Sequence, residues 1–452
     1  MNHPYLPHTP DERRRMLSFL GLASEEDLLA PLPQDLRLKT PPDIPPPLSE
    51  PELTRVFGGW AAMNTGAAHA TCFLGAGAYQ HHIPAIVNHL SSRAEFYTAY
   101  TPYQPEMSQG LLQAIFEFQT MIAELCGLPV ANASLYDGAT AVAEAALMAL
   151  AATRRRKVVA ARSVHPDYRA VLRTYLRHRD AVLVEPELGD GFLRPQTLEL
   201  DGDTAAVIAA YPNFFGLIED LAPLAAATHE AGAVFVVAAN PAALGYLEAP
   251  GALGADLVAG EGQPLGLPLS FGGPGLGFLA AREEHLRRIP GRLVGQTRDV
   301  SGRRGFVLTL QTREQHIRRE RATSNICSNS ALGALRAAIH LAAAGPGGLR
   351  RIGEQCAAGA HYAMERLTAG GSFKPLFDGP FFHEFALASP VPVPLLNRRL
   401  RERGIIGGLD LSTHYPELGQ AILLAVTEAR TAEEIDFLAE VMEASSCPAI
   451  SR

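Results

Sequence analysis

The feature that most constrains the fold is an alternation of short apolar segments with helix-like segments between residues 157 and 240. The apolar segments are rich in valine and alanine and have the length of buried strands; they begin at Lys157 and include Ala205–Asn213 and Val234–Asn240. Amphipathic stretches around Tyr168–Arg179 and Leu221–Ala231 separate them. Strands that alternate with helices form a largely parallel sheet with helices on both faces. The sequence therefore predicts an α/β fold.

Polar residues follow several of these predicted strands. A further strand, Asp256–Ala259, leads into the glycine- and proline-rich stretch Gly254–Gly277, and Phe278–Ala281 is the next predicted strand. Ligands on such a sheet bind at the carboxyl ends of the strands. We therefore expect the polar residues that follow the strands to converge at that edge. They are His165, Asn213, Asn240 and Gln263.

Gln263 stands where a different side chain would be needed for cofactor chemistry. In enzymes that use pyridoxal phosphate on such a fold, a strand end of this shape presents the lysine that binds the cofactor as an imine. The amide of Gln263 cannot form an imine. The strand before it, Val234–Asn240, also ends without the aspartate that would keep the pyridine nitrogen protonated. Only three of the 39 lysine and arginine residues are lysines, Lys39, Lys157 and Lys374. We predict that this chain binds no cofactor covalently.

Three regions follow from the pattern along the chain. Residues 1–55 are predicted to be an N-terminal helical arm, in which Thr9–Glu12 starts a helix and Pro41–Pro51 is an extended, non-helical linker. Residues 56–330 are predicted to be the large α/β domain. A helix over Ser330–Ala344 is expected to end at the following glycines and to mark the boundary of a small α+β domain, residues 331–452. Thr431 and Glu434 are placed to cap its last helix.

The segment Tyr97–Gln109 is the densest in side chains that recognise ligands. Two prolines, Pro102 and Pro105, restrict its backbone, so that phenols and amides can be positioned at low entropic cost. Such a loop suits a small polar substrate or a tyrosine-rich subunit contact, and in a site at an interface both roles hold. The candidate site residues are Tyr97, Tyr100, Tyr103, Gln104, Glu106 and Ser108.

Two other features are weaker indications of a binding site. The glycine-containing stretch Ala133–Thr140 leads into a predicted helix, Ala141–Ala152, and the N-terminus of a helix can bind a phosphate. The segment Gly291–Cys327 is rich in arginine, which favours surface or interface salt bridges, with the gripping of a carboxylate as the alternative. Its arginines are Arg303, Arg304, Arg313, Arg318, Arg319 and Arg321.

Composition excludes several classes of function. The net charge of −8 argues against a nucleic-acid surface. The five cysteines are scattered, without the spacing of a zinc site, and their dispersal fits a reducing cytoplasm. The N-terminal stretch is polar and contains prolines, unlike a signal peptide, and no apolar run approaches the length of a membrane span. We expect a cytoplasmic protein with no metal site, no membrane segment and no nucleic-acid partner.

Four long motifs together carry a resemblance to one family. They are AYTPYQPEMSQG from Ala99, ASLYDGAT from Ala133, GEGQPLGLPLSFGGPGLGFLA from Gly260, and RGFVLTLQTREQHIRR from Arg304 with the following RATSNICSN. In this order they resemble the alpha subunit, or subunit 1, of the glycine cleavage system P-protein, a glycine dehydrogenase (decarboxylating) of the two-subunit bacterial type. The resemblance covers essentially the whole chain.

The resemblance implies a pyridoxal-phosphate-dependent transferase architecture of fold type I and a homologous beta subunit as partner. In that family the beta subunit holds pyridoxal phosphate and its lysine; glycine is decarboxylated, and the aminomethyl group passes to the lipoyl arm of the H-protein. We hypothesise that Tyr100 and Tyr103 complete the pocket of the partner subunit and shield its chemistry from water. The alternative is an inert scaffold that stabilises the beta subunit. Assembly as a heterodimer or as a dimer of heterodimers stays open.

Overall fold

The computed structural model describes residues 8–67, 69–97 and 99–446. The chain divides into two compact units, Met1–Thr65 and Gly66–Arg452. The division of the second unit near residue 330 stays a prediction. In the part of the chain that the structure describes, no helix combines the length and the apolar character that a membrane span requires.

Eleven α-helices lie within the described residues. They are α1 (Pro10–Phe19), α2 (Glu50–Ala62), α3 (Ala85–Ser91), α4 (Gln109–Cys126), α5 (Gly138–Thr153), α6 (Pro166–Leu176), α7 (Leu221–Glu230), α8 (Gln315–Arg318), α9 (Ala331–Thr368), α10 (Val393–Glu402) and α11 (Ala432–Ser446).

The strands of the described residues form one large sheet and three smaller ones. They are β1 (Thr71–Cys72), β2 (Val130–Ala131), β3 (Lys157–Ala160), β4 (Val182–Val184), β5 (Thr204–Tyr211), β6 (Val234–Ala239), β7 (Leu257–Glu261), β8 (Gly277–Ala281), β9 (Val294–Arg298), β10 (Arg304–Leu308), β11 (Lys374–Pro375), β12 (Glu384–Ala388), β13 (Ile405–Ile406), β14 (Leu409–Asp410) and β15 (Ala421–Ala425).

The large sheet has seven strands among the described residues, in the order β2-β8-β7-β6-β5-β3-β4. The pairs from β4 through β7 are parallel, and β8 and β2 join antiparallel at one edge. Every residue of β5 and β6 is buried, which is why these strands read as continuous apolar runs in the sequence. The predicted α/β sheet is confirmed, and its parallel strand ends lie at one edge.

The N-terminal unit follows the capping signals of its sequence, with one correction. The Thr9 hydroxyl accepts from the Glu12 amide at 3.3 Å, and the Glu12 carboxylate accepts from the Thr9 amide at 2.7 Å, so the predicted helix start is confirmed. The prediction that Pro41–Pro51 is entirely non-helical was wrong at its last two residues, because α2 begins at Glu50. Proline is compatible with the first turn of a helix, where its missing N–H has no helical partner.

Helix α9 corrects a second prediction. The expected helix does meet an interruption at Gly345, which has φ 62° and ψ 177°. The chain nevertheless returns to helix at once, and the element continues to Thr368. Pro346 follows the interruption, at the start of the second helical segment, where a proline is tolerated. The glycine therefore kinks the element without ending it.

A four-stranded antiparallel sheet, β11-β12-β15-β14, forms near the C-terminus of the second unit. Its apolar residues pack with α9, α10 and α11 in one cluster that includes Phe385, Leu424 and Leu438. The capping of α11 is confirmed, since the Glu434 amide donates to Thr431 Oγ1 at 3.3 Å and the Thr431 amide donates to Glu434 Oε2 at 3.0 Å.

Candidate functional site

The polar residues that follow the strands meet at the carboxyl edge of the large sheet, as predicted. His165, Asn213 and Asn240 line one small cavity of about 70 Å³. Gln263 lines an adjoining cavity of about 420 Å³, to which His165 also contributes. Glu261, at the end of β7, lines both. The fold thus creates a ligand-sized space where enzymes of this architecture place their cofactor.

Gln263 is fully engaged in hydrogen bonds inside the protein. Its Nε2 donates to the carbonyl oxygens of Tyr79 at 2.9 Å and Leu267 at 2.8 Å, and its Oε1 accepts from the Tyr79 amide at 3.0 Å. The residue is 8% exposed. Its side chain therefore ties two loops together and offers no group for covalent attachment of a cofactor.

The N-terminus of α5, which the sequence marks as a possible phosphate site, is filled by carboxylates of this chain. Asp137 Oδ1 accepts from the Thr140 amide at 2.8 Å, and Glu261 Oε2 accepts from the Gly138 amide at 3.0 Å. Burial is the largest influence on Glu261 and raises its pKa, although hydrogen bonds from main-chain amides oppose that shift. A phosphate here would meet negative charge where it needs free N–H groups.

Pyridoxal phosphate does not fit the residues of this chain. At the position where the sequence analysis expects the lysine, Gln263 offers an amide that is bound to Tyr79, and the Gly138 and Thr140 amides at the start of α5 already serve Glu261 and Asp137. Asn240 follows β6 as a neutral amide, and its Oδ1 accepts from the Ala242 amide at 3.0 Å. These three features each remove a different requirement of cofactor binding.

A buried carboxyl group that the sequence analysis missed lies against this edge. Tyr79 Oη donates to Glu384 Oε2 at 2.5 Å, and the Ala76 amide donates to Glu384 Oε1 at 2.5 Å. Burial raises the pKa of Glu384 to about 7, and it also raises the pKa of Tyr79. The signal available was an acid inside the apolar run 381–388, since a buried acid needs a specific partner.

His81 belongs to a second buried cluster, formed with Cys356 and Glu428. Its Nδ1 lies 2.7 Å from Glu428 Oε2, and the Cys356 thiol donates to the same oxygen at 3.3 Å. Burial disfavours the Glu428 carboxylate, but hydrogen bonds from His81, the His82 amide and Cys356 outweigh it and lower its pKa to about 2. One atom from each of the three side chains could coordinate a metal ion, and these atoms lie within 4.8 Å of one another. The spacing of the residues in the sequence did not predict this cluster. Hydrogen bonds within the chain are therefore sufficient to stabilise the buried Glu428 carboxylate.

The three tyrosines of the predicted segment do not line the two cavities at the carboxyl ends of the strands. Tyr97, Tyr100 and Tyr103 are 66%, 86% and 53% exposed. Tyr97 and Tyr100 line a cavity of about 470 Å³ together with Leu332. Tyr103 lines another, of about 420 Å³, together with His316. The tyrosines are therefore available to a partner, and they line other cavities than Gln263 does.

The polar residues of the same segment have different environments. Gln104 and Glu106 are not buried, which leaves their predicted contact role open. Ser108 is only 4% exposed at the start of α4, and its role as a substrate or interface contact stays a prediction. The segment is attached to β10 by Gln109, whose Oε1 accepts from the Phe306 amide at 2.9 Å and whose Nε2 donates to the Phe306 carbonyl oxygen at 2.8 Å.

The arginine-rich segment is mainly a surface, with one structural guanidinium. Arg303 pairs with Asp299 at 3.1 Å on the surface, in agreement with the salt-bridge interpretation. Arg313 instead donates to main-chain carbonyl oxygens, Leu310 O at 3.0 Å and Gly291 O at 3.1 Å as well as Ile289 O. Burial lowers its pKa. Arg313 therefore fixes the turn before β9.

Comparison with known proteins places these features in a family. The model of the family described as glycine cleavage system P-protein matches residues 3–442. The chain is 52% identical over 447 residues to the probable glycine dehydrogenase (decarboxylating) subunit 1 of Brevibacillus brevis, covering 98% of this chain and 99% of that protein. It is 53% identical over 440 residues to the protein of the same name from Moorella thermoacetica, covering 97% and 98%.

Solved structures agree in fold. A crystal structure of glycine decarboxylase (P-protein) of the glycine cleavage system, in inhibitor-bound form, superposes with a TM-score of 0.90 at 48% identity, covering 98% of this chain and all of that one. A glutamate decarboxylase of Lactobacillus brevis gives a TM-score of 0.68 at 14% identity over 91% and 95% of the two chains, a likeness of fold alone. The predicted fold type I architecture is confirmed. With its full-length match, the chain belongs to the glycine cleavage system P-protein family.

Proposed function

We propose that this chain is the subunit of a two-subunit glycine decarboxylase that does not hold the cofactor. Its relatives in Brevibacillus brevis and Moorella thermoacetica carry the name subunit 1, which implies a second subunit. The observation that carries the proposal lies at the carboxyl ends of the strands, where Gln263 is bound to Tyr79 and Glu261 accepts from the Gly138 amide at the start of α5. The beta subunit would supply the lysine and pyridoxal phosphate.

Together the two subunits would decarboxylate glycine in the cytoplasm and pass the aminomethyl group to the lipoyl arm of the H-protein. Pyridoxal phosphate supplies an electron sink for the loss of carbon dioxide. The part of this chain is to bind the beta subunit and to complete the surroundings of its site. Without the beta subunit we expect the chain to be inactive.

The tyrosine segment is the best candidate for that contribution. Its phenols are exposed, and its backbone is fixed by Gln109 and by proline residues, so that the hydroxyl groups are positioned before a partner binds. We infer that Tyr100 and Tyr103 face the site of the partner subunit, as donors that stabilise charge and exclude water.

The alternative is that the chain is a scaffold for the beta subunit and has no chemical role. The surroundings of Tyr100 favour this alternative for that residue. Tyr97 and Tyr100 line a mainly apolar cavity together with Phe96 and Leu332. In the described residues neither phenol has a hydrogen-bond partner within this chain, so both could serve as packing surface. Under this alternative their hydroxyl groups are dispensable.

Replacing Tyr103 by phenylalanine separates the two functions, because the change removes one hydroxyl and little volume. If the hydroxyl stabilises charge, we expect glycine–bicarbonate exchange by the assembled complex to fall on the order of 10²–10³-fold. The affinity between the subunits should stay unchanged. The measurement uses wild-type beta subunit and H-protein, with subunit affinity determined in parallel.

The companion variant is Tyr100→Phe. Unchanged exchange in both variants would reject a role for the hydroxyl groups and leave the segment as an interface. Weaker association with normal exchange at saturating subunit would favour the scaffold.

A further inference from the structure

Arg292 is a buried guanidinium without a described carboxylate partner. It is 3% exposed and precedes β9, where its main-chain carbonyl oxygen accepts from the Ala133 amide at 2.9 Å. Among residues 8–67, 69–97 and 99–446, no hydrogen-bond partner lies at its Nε or Nη1. A buried charge that is left unpaired is strongly destabilising, so its retention calls for a physical reason.

The hydrogen bond that the guanidinium does make is to the tyrosine segment. Arg292 Nη2 donates to Tyr103 Oη at 2.9 Å, and the guanidinium carbon lies 5.3 Å from the centroid of the Tyr103 ring. A bond from a charged donor is shorter and stronger than one between neutral groups. The cation–π contact between the guanidinium and the ring also restricts the ring. A buried, rigid group thus fixes a phenol that is itself half exposed.

This contact determines what the Tyr103 hydroxyl can do. Its oxygen already accepts a hydrogen bond, and in the described part of the chain no group accepts its hydrogen. The ring of His316 lies at 68° to the ring of Tyr103, with the two centroids 6.4 Å apart. The hydroxyl hydrogen is therefore available to an acceptor outside this chain, and the positive charge behind it favours an acceptor that is negative.

We propose that Arg292 is a positioning residue, which fixes the Tyr103 hydroxyl as a hydrogen-bond donor to a negatively charged oxygen in the assembled complex. The inference rests on the proposed contribution of Tyr103 to the site of the beta subunit. The oxygen belongs to the glycine carboxylate or to the cofactor. In either case Arg292 acts through Tyr103 and does not itself touch the acceptor.

A double-mutant cycle tests the coupling. We compare Arg292→Met, Tyr103→Phe and the double variant in complex with wild-type beta subunit, measuring glycine–bicarbonate exchange with H-protein. We expect each single change to lower exchange by at least roughly tenfold. The exchange rate of the double variant should be about the same as that of the slower single variant, because the two residues act as one unit. Arg304→Met is the matched control, since Arg304 is exposed and stacks on Phe306, and exchange should stay unchanged.

Two further readouts identify the acceptor. If it is the glycine carboxylate, Arg292→Met raises the KM for glycine and leaves the affinity of the complex for pyridoxal phosphate unchanged. If it is an oxygen of the cofactor, that affinity falls, as followed by the absorbance of the bound cofactor.

A variant that keeps the charge, Arg292→Lys, serves in the same double-mutant cycle if the methionine variant does not fold. We expect an intermediate loss of exchange, which again disappears in the Tyr103→Phe background.

The inference and the proposed function fail in different ways. If Tyr103→Phe leaves exchange unchanged, the contribution of the hydroxyl is rejected and the inference falls with it. If Tyr103→Phe lowers exchange but loss of Arg292 has the same fold-effect in both backgrounds, only the inference is overturned. A loss confined to subunit affinity or to the unfolding temperature would likewise reduce Arg292 to a structural role.

Discussion

Glu384 lies fully buried at the start of β12, and its ionisation should make the stability of the chain depend on pH. Burial raises its pKa from 4.5 to about 7. The folded protein therefore retains a proton that the unfolded chain loses at lower pH. Between these two values the native state binds more protons, so stability decreases as pH rises.

The variant Glu384→Gln isolates this effect. We expect the free energy of unfolding of the wild-type chain, relative to the variant, to fall by up to about 1.4 kcal/mol per pH unit as pH rises from 4.5 to about 7. Above that range the difference should be constant. Denaturant titrations at several pH values measure it, with the exposed Glu124→Gln as control. A difference that does not change with pH would show that the carboxyl group is ionised throughout.

At the scale of elements, the kink in α9 depends on one glycine. Gly345 has φ 62°, and no atom lies within 4 Å of the place where a Cβ would be. A side chain there would meet no steric clash with its surroundings, only the strain of a positive φ combined with an extended ψ. The kink is thus a property of the backbone at this residue.

A pair of alanine variants tests this account. We expect Gly345→Ala to lower the free energy of unfolding by about 1–3 kcal/mol, because a positive φ combined with an extended ψ is adopted by almost no residue other than glycine. Gly347→Ala is the matched control. It lies two residues on in the same helix, is equally open and has no positive φ, so it should be neutral or stabilising by up to about 1 kcal/mol. Equal effects of the two changes would contradict the proposed origin of the kink.

At the scale of the whole molecule, the engaged side chains at the carboxyl ends of the strands predict how the isolated chain interacts with the cofactor. We expect purified chain mixed with pyridoxal phosphate to show no change in the cofactor absorbance and no adduct trapped by borohydride at a specific residue. The reason is the combination of Gln263, bound to Tyr79, with Glu261 at the start of α5. The assembled complex is the positive control. A stoichiometric adduct at Lys157 or Lys374 would overturn the assignment of the cofactor to the partner.

The sequence by itself determined the class of fold, and it also predicts that this chain binds no cofactor covalently. Apolar strands that alternate with amphipathic helices leave few architectures, because each face of a parallel sheet must be covered. The absence of lysine at position 263 can also be seen from the sequence alone, because an amide cannot form an imine in any tertiary context. Helix starts such as Thr9 and Thr431 were also readable, because a cap forms between residues three apart.

Only the tertiary structure decided how distant residues pair. Glu261 reaches Gly138, Glu384 reaches Tyr79 and Arg292 reaches Tyr103 across 123 to more than 300 positions. No periodic pattern encodes such contacts, because they depend on which loops meet at the edges of the sheet. Burial depends on the same packing, and it is burial that raises the pKa of Glu384 and leaves the Arg292 guanidinium with Tyr103 as its described hydrogen-bond partner. The sequence shows which groups are present, and the fold determines which of them act together.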